Sequence, residues 1–298
     1  MTLRTKLAFV LGGGGARGAL QVGALRALLE IGVQPDLLVG SSIGAVNAAF
    51  LAIHGINGEG VQRLVKAWSD AAEAELLPSN YLWLTVRALF NRPVEYPMHR
   101  MQEFFVSHGV DPDLRFGDIK DVGLITVAAD LNQGIPILFG LDPQDRVLDG
   151  LLASTALPPW VSPLPKDGSL LIDGGAVSNL PIEPAIEAGA TEIVAMDLKD
   201  FRDHQGNGQG FGPFLSKLLN TVEQRQMYLE LALAQARRVK VHYLKLQGAE
   251  HIPLWHFAHT DELILSGYAL THQALQDGSL KSLVEKPGWA ARLKRALR

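Results

Sequence analysis

The sequence predicts an α/β fold built on a mostly parallel sheet, and three observations carry that expectation. Short apolar runs bounded by glycines alternate with longer stretches whose apolar positions recur at helical spacing. The first alternation, a strand, a glycine loop, a helix and a strand, is a βαβ unit, whose strands run parallel with a right-handed crossover. Its second strand runs into Gly40-Ser41-Ser42-Ile43-Gly44, a G-x-S-x-G pattern that sets a serine on a sharp strand-to-helix turn.

Composition bounds the rest. The chain has 298 residues, 47% of them hydrophobic, enough for a large core. A net charge of −4 without a basic face argues against nucleic acid as a partner. With no cysteine, a disulfide framework, a thiolate zinc site and a cysteine nucleophile are all excluded. The first residues lack the apolar stretch of a signal peptide, and no window reaches the roughly 20 apolar residues of a membrane span. The expectation is a cytoplasmic protein, with peripheral membrane contact open and the oligomeric state unknown. A single domain over 1–298 is expected.

In chain order, Leu7 to Leu11 reads as a buried strand. Gly12-Gly13-Gly14-Gly15-Ala16-Arg17-Gly18 follows, then a helix with Leu20, Ala24, Leu25, Leu28 and Leu29 on one face, stopped near Gly32. Residues 37–39 form the second strand. The helix after Ser42 is rich in small residues, so it can lie close to the sheet, and its N-terminus favours negative charge near the serine. Gly40 and Gly44 flank the serine where a side chain would crowd the packed elements. Residues 61–74 and 98–108 read as helices. The dense apolar stretch 76–98, broken by Pro78, Pro93 and Pro97, reads either as helices covering the core or as a mobile cap over a lipid-sized pocket.

Residues 124–130 and 135–139 read as paired strands joined at Asn132-Gln133-Gly134. Ala153-Ser154-Thr155-Ala156-Leu157-Pro158-Pro159-Trp160 reads as a small-residue turn. Residues 170–172 form a strand that runs into Asp173-Gly174-Gly175, where the glycines leave room for another side chain to reach the carboxylate. A plain Asp-Gly turn is the alternative. A helix after Asn179, a strand at 193–198, a glycine-rich loop at 200–212, a long helix at 213–236 and a last strand at 239–246 complete the pattern. Residues 289–298 are basic and amphipathic, read as a solvated terminal helix or as a contact for anionic headgroups.

The glycine loop and the serine turn belong at the same, carboxyl-terminal edge of the sheet, where open α/β sheets place their sites. Bare amides at Gly13, Gly14 and Gly15 suit an anion, either a phosphate or a developing oxyanion. Gly13, Gly15 and Gly18 also fit G-x-G-x-x-G, but no acidic residue ends the second strand, and no Gly-Lys-Ser/Thr follows for a P-loop. The competing reading is a non-catalytic module that holds a phosphate or nucleotide on this loop. If Ser42 is a nucleophile, its base is either one of His204, His242, His251, His256, His259 and His272 or the carboxylate of Asp173. A carboxylate is a weak base at its usual pKa of about 3.9, and burial beside Ser42 would strengthen it. The histidine spacing does not suggest zinc.

These motifs together, from the glycine loop through the serine turn and residues 153–158 to Asp173-Gly174-Gly175, resemble the patatin-like phospholipases in content and order over roughly residues 7–200. The resemblance implies a three-layer α/β/α core there, with 201–298 completing the fold. It implies a Ser–Asp dyad with Ser42 as nucleophile and Asp173 as base, an oxyanion loop at Gly13, Gly14 and Gly15, a supporting Arg17, and no metal or organic cofactor. The substrates it implies are acyl esters of lipids. Gly12 and Gly175 depart from the pattern, where many members carry aspartate and alanine.

Overall fold

The structure is a computed structural model and describes residues 5–73, 96–158, 161–199, 211–254 and 256–278, with 280 and 283. The strands are β1 (Leu7–Leu11), β2 (Leu37–Ser41), β3 (Gly123–Asp130), β4 (Ile135–Phe139), β5 (Leu164–Lys166), β6 (Ser169–Asp173), β7 (Glu192–Lys199) and β8 (Lys240–Gln247). The helices are α1 (Ala19–Glu30), α2 (Ile43–His54), α3 (Gly58–Glu73), α4 (Tyr96–Ser107), α5 (Val147–Ser154), α6 (Ile182–Glu187), α7 (Phe211–Ala236) and α8 (Thr260–Gln276).

Pairing runs β5–β6–β3–β2–β1–β7–β8, with β4 also on β3. The strands from β3 to β8 along this path are parallel, while β4 and β6 join β3 antiparallel. The expected βαβ unit is present as β1–α1–β2. Burial on both faces explains the uninterrupted apolar strands. In β1, Leu7, Phe9 and Leu11 face one core with α1, α2, α3 and α8, and Ala8 and Val10 face another with α6 and α7. The sheet is thus the middle of three layers. The part after residue 200 shares these cores, through β8 on β7 and Leu263 and Ile264 of α8 in the larger one.

Three features differ from the sequence expectation. Residues 153 and 154 are the end of α5 rather than part of the turn, because Val147, Leu148, Leu151 and Leu152 bury a short helical face before the prolines. The strand at 170–172 is one arm of a β5–β6 hairpin. Helix α8 was not anticipated. The cap at 76–98 lies mostly outside the described residues, as do the stretch 289–298 and most of the loop at 200–212.

Candidate active site

Ser42 sits between the last residue of β2 and the first of α2, with φ 55° and ψ −128°. That left-handed φ is strained for a residue with a side chain, at a cost on the order of 1–3 kcal/mol. The neighbouring glycines let the turn close. A Cβ on Gly40 would lie 2.4 Å from the Gly44 carbonyl oxygen, and one on Gly44 would lie 2.1 Å from that of Leu11. The Ser42 N–H donates to Ser154 Oγ at 2.9 Å, and that hydroxyl donates to the Val127 carbonyl at 2.6 Å, which ties the turn to β3.

Asp173 reaches the same point through strand register. Val127 pairs with Ser41 on one side and Leu138 on the other, and the next residue, Ala128, pairs with Asp173 and Ile137. Since β4 holds one edge of β3 from Thr126 to Asp130, β2 and β6 must share the other and meet end to end. Antiparallel β6 therefore points its last residue at the end of parallel β2. The Ser42 hydroxyl donates to Asp173 Oδ2 at 2.6 Å across 131 positions of sequence, and the Gly175 N–H donates to Oδ1 at 2.8 Å. Burial pushes the Asp173 carboxyl up to about 6, with the Glu223 carboxylate adding in the same direction, while the bonds from Ser42 and Gly175 oppose the rise.

The glycine loop lies beside this pair. The Gly13 N–H is already used, donating to the Asn179 carbonyl at 3.0 Å, so the expectation that Gly13, Gly14 and Gly15 all offer donors is narrowed to the last two. Gly14 and Gly15 have no backbone acceptor for their N–H groups among the described residues, and nor does Ile43 at the start of α2. The Gly14 carbonyl accepts from Arg17 Nε at 3.2 Å and from the Arg17 N–H at 3.3 Å. In a planar trans peptide the N–H points opposite the carbonyl, so this turns the Gly15 N–H away from Arg17. Ser42, Asp173, Gly13, Gly14 and Gly15 all line one cavity of about 700 Å³. Its walls are largely apolar, with Phe50, Trp68, Phe104 and Phe105 among them, and Arg17 is the one cation that lines it among the described residues.

The sequence profile described as Patatin-like phospholipase matches residues 9–186, well over half of the chain. The chain belongs to the patatin-like phospholipase family. A stretch of 243 residues is 32% identical to patatin-like phospholipase domain-containing protein 7 of Rattus norvegicus, covering 78% of this chain and 17% of that protein. Another of 224 residues is 27% identical to lysophospholipase nte1 of Aspergillus terreus, covering 72% and 13%. The chain thus spans less than a fifth of these relatives. The human GIVD cytosolic phospholipase A2 shares the fold at a TM-score of 0.52 and 11% identity, over 98% of this chain and 60% of that one.

Within this patatin-like site, the residues that sequence reasoning missed are buried amides below the loop. Gln21 Nε2 donates to the carbonyls of Gly12 at 2.8 Å and Met196 at 3.2 Å. Asn47 Nδ2 donates to Gln21 Oε1 and to the Gly18 carbonyl, and Asn47 Oδ1 accepts from Trp68 Nε1. This chain holds the loop from beneath through its carbonyls. Polar residues at otherwise apolar helix positions were the available signal. Ser154 was visible only as part of a small-residue run. No described histidine lines the cavity. His242 is buried against Glu192 at 2.9 Å, and His204 lies outside the described residues. Among the described residues, the titratable side chain hydrogen-bonded to Ser42 is Asp173.

Proposed function

We propose that this chain hydrolyses acyl esters of lipids through an acyl-Ser42 intermediate. The carrying observation is the 2.6 Å hydrogen bond from Ser42 to a buried Asp173 in the wall of a largely apolar cavity. Asp173 takes the hydroxyl proton as Ser42 Oγ bonds to the ester carbonyl carbon. The Gly14, Gly15 and Ile43 N–H groups receive the negative charge on the carbonyl oxygen, and the alcohol departs with the proton. Water then attacks the acyl-serine, with Asp173 again accepting the proton; Asp173 returns that proton to Ser42 Oγ as the bond from Oγ to the acyl carbon breaks, and the fatty acid leaves. A base whose pKa lies near 6 is stronger than an ordinary carboxylate and still mostly ionised at neutral pH. The cavity volume falls within the roughly 300–1,000 Å³ of sites that enclose one small ligand. A single lining cation among the described residues, already bonded to Gly14, fits a phosphate- or nucleotide-holding role less well.

The test is hydrolysis of a chromogenic acyl ester by the wild type, Ser42→Ala and Asp173→Asn. Each variant is expected to lose at least a thousandfold in kcat, as for members of other serine hydrolase sites. Equal activity in all three refutes the proposal.

A further inference from the structure

Helix α7 carries an apolar face with nothing packed on it among the described residues. Phe214 is 62% exposed and Tyr228 61%, and Leu218, Val222 and Leu229 are exposed as well. At helical spacing these five fall within an arc of roughly 120°. Met227, Leu231 and Ala234, which meet the sheet, lie on the opposite side. The exposed arc is continuous with the cavity, because Val222 and its neighbour Leu219 are both exposed and both line it.

The charges on α7 are divided in the same way. Arg225 falls inside the apolar arc and Lys217 at its edge, both exposed. The acidic residues of the helix lie outside this arc: Glu223 is exposed on the side that lines the cavity, and Glu230 is buried against Ser178 and the Glu183 N–H. In a chain with a net charge of −4, this face is apolar and basic with no acid. Apolar side chains flanked by cations suit the boundary between anionic headgroups and acyl chains.

We propose that the outward face of α7 docks on an anionic lipid surface and sets the cavity mouth against it. This rests on reading the cavity as a lipid site. A lipid drawn from the layer would then pass over Leu219 and Val222 without its acyl chain crossing water. No helix among the described residues is long and apolar enough to cross a membrane.

The experiment is co-sedimentation with vesicles of phosphatidylcholine alone and of phosphatidylcholine with phosphatidylglycerol. Binding is measured on a Ser42→Ala background, so that it does not depend on turnover. Anionic vesicles should bind at least tenfold more tightly than neutral ones. Phe214→Asp with Leu218→Asp should weaken that binding more than tenfold, and Lys217→Gln or Arg225→Gln should each weaken it about fivefold. With Ser42 intact, the paired aspartate variant should hydrolyse a soluble short-chain ester within twofold of the wild type, which also shows that it folds. Equal vesicle binding by variant and parent, or no preference for anionic vesicles, overturns the proposal. So does a dimer, seen by sedimentation velocity, that the aspartates dissociate while vesicles stay unbound. Vesicle binding without ester hydrolysis by the Ser42 protein would sink the catalytic reading and leave the docking surface standing.

Discussion

Asp173→Asn should abolish activity and make the protein more stable, by an amount that depends on pH. In the folded chain the carboxyl titrates at about 6 rather than 3.8, because ionisation leaves a charge in a buried site. Below about pH 3.8 the group is protonated folded or unfolded and costs nothing. Between 3.8 and 6 the folded state holds a proton that the unfolded state has released, so stability falls as pH rises, and above 6 the cost is constant. At about 1.4 kcal/mol per pH unit, the full cost is about 3 kcal/mol. Asparagine removes it while keeping the local bonds, since its oxygen can accept from Gly175 and its amide can donate to Ser42 Oγ. With an unfolding entropy of about 2 cal/mol/K per residue over the chain, Tm should rise by about 5 °C at pH 8 and about half that at pH 5. Thermal unfolding of both proteins at the two pH values measures this. A gain that is equal at both, or a loss at pH 8, would refute the account of Asp173 as a buried charge held against its own solvation.

Further consequences can be measured separately. The kcat/KM of the wild type for a soluble ester should rise through an acid limb near pH 6, where Asp173 ionises. Glu223→Gln should move that limb to lower pH, because a negative neighbour that opposes ionisation is gone; an unmoved limb would exclude that electrostatic influence. Ser154→Ala removes the acceptor of the Ser42 N–H and should lower kcat about tenfold with KM little changed, for a loss of roughly 1.4 kcal/mol. Gln21→Leu leaves the Gly12 carbonyl without its side-chain donor and takes from the Asn47 amide one of its two acceptors in the core, and urea unfolding should show a loss of about 2 kcal/mol or more.

Much of the site could be read locally. The β1–α1–β2 unit, the Ser42 turn and the strand ending at Asp173 each announce themselves within a few residues, through apolar runs, glycine and helical periodicity. The end of α5 was hidden because Ala153 and Ser154 look the same in a turn as in a last helical turn. Helix α8 carried no motif, and its place was decided by packing against α1. The narrowing at Gly13 was also out of reach, because its N–H is taken by a carbonyl 166 positions further on.

The sequence alone determined which side chains could do the chemistry and the backbone shape around each, since turns and strand ends are fixed by neighbouring residues. Only the tertiary structure decided that Ser42 and Asp173 meet. The two strands that carry them meet end to end on one edge of β3, and the positions at which strands pair depend on residues far apart in the chain. The same holds for the elevated Asp173 pKa, because burial is set by the walls of the cavity rather than by any residue beside the aspartate.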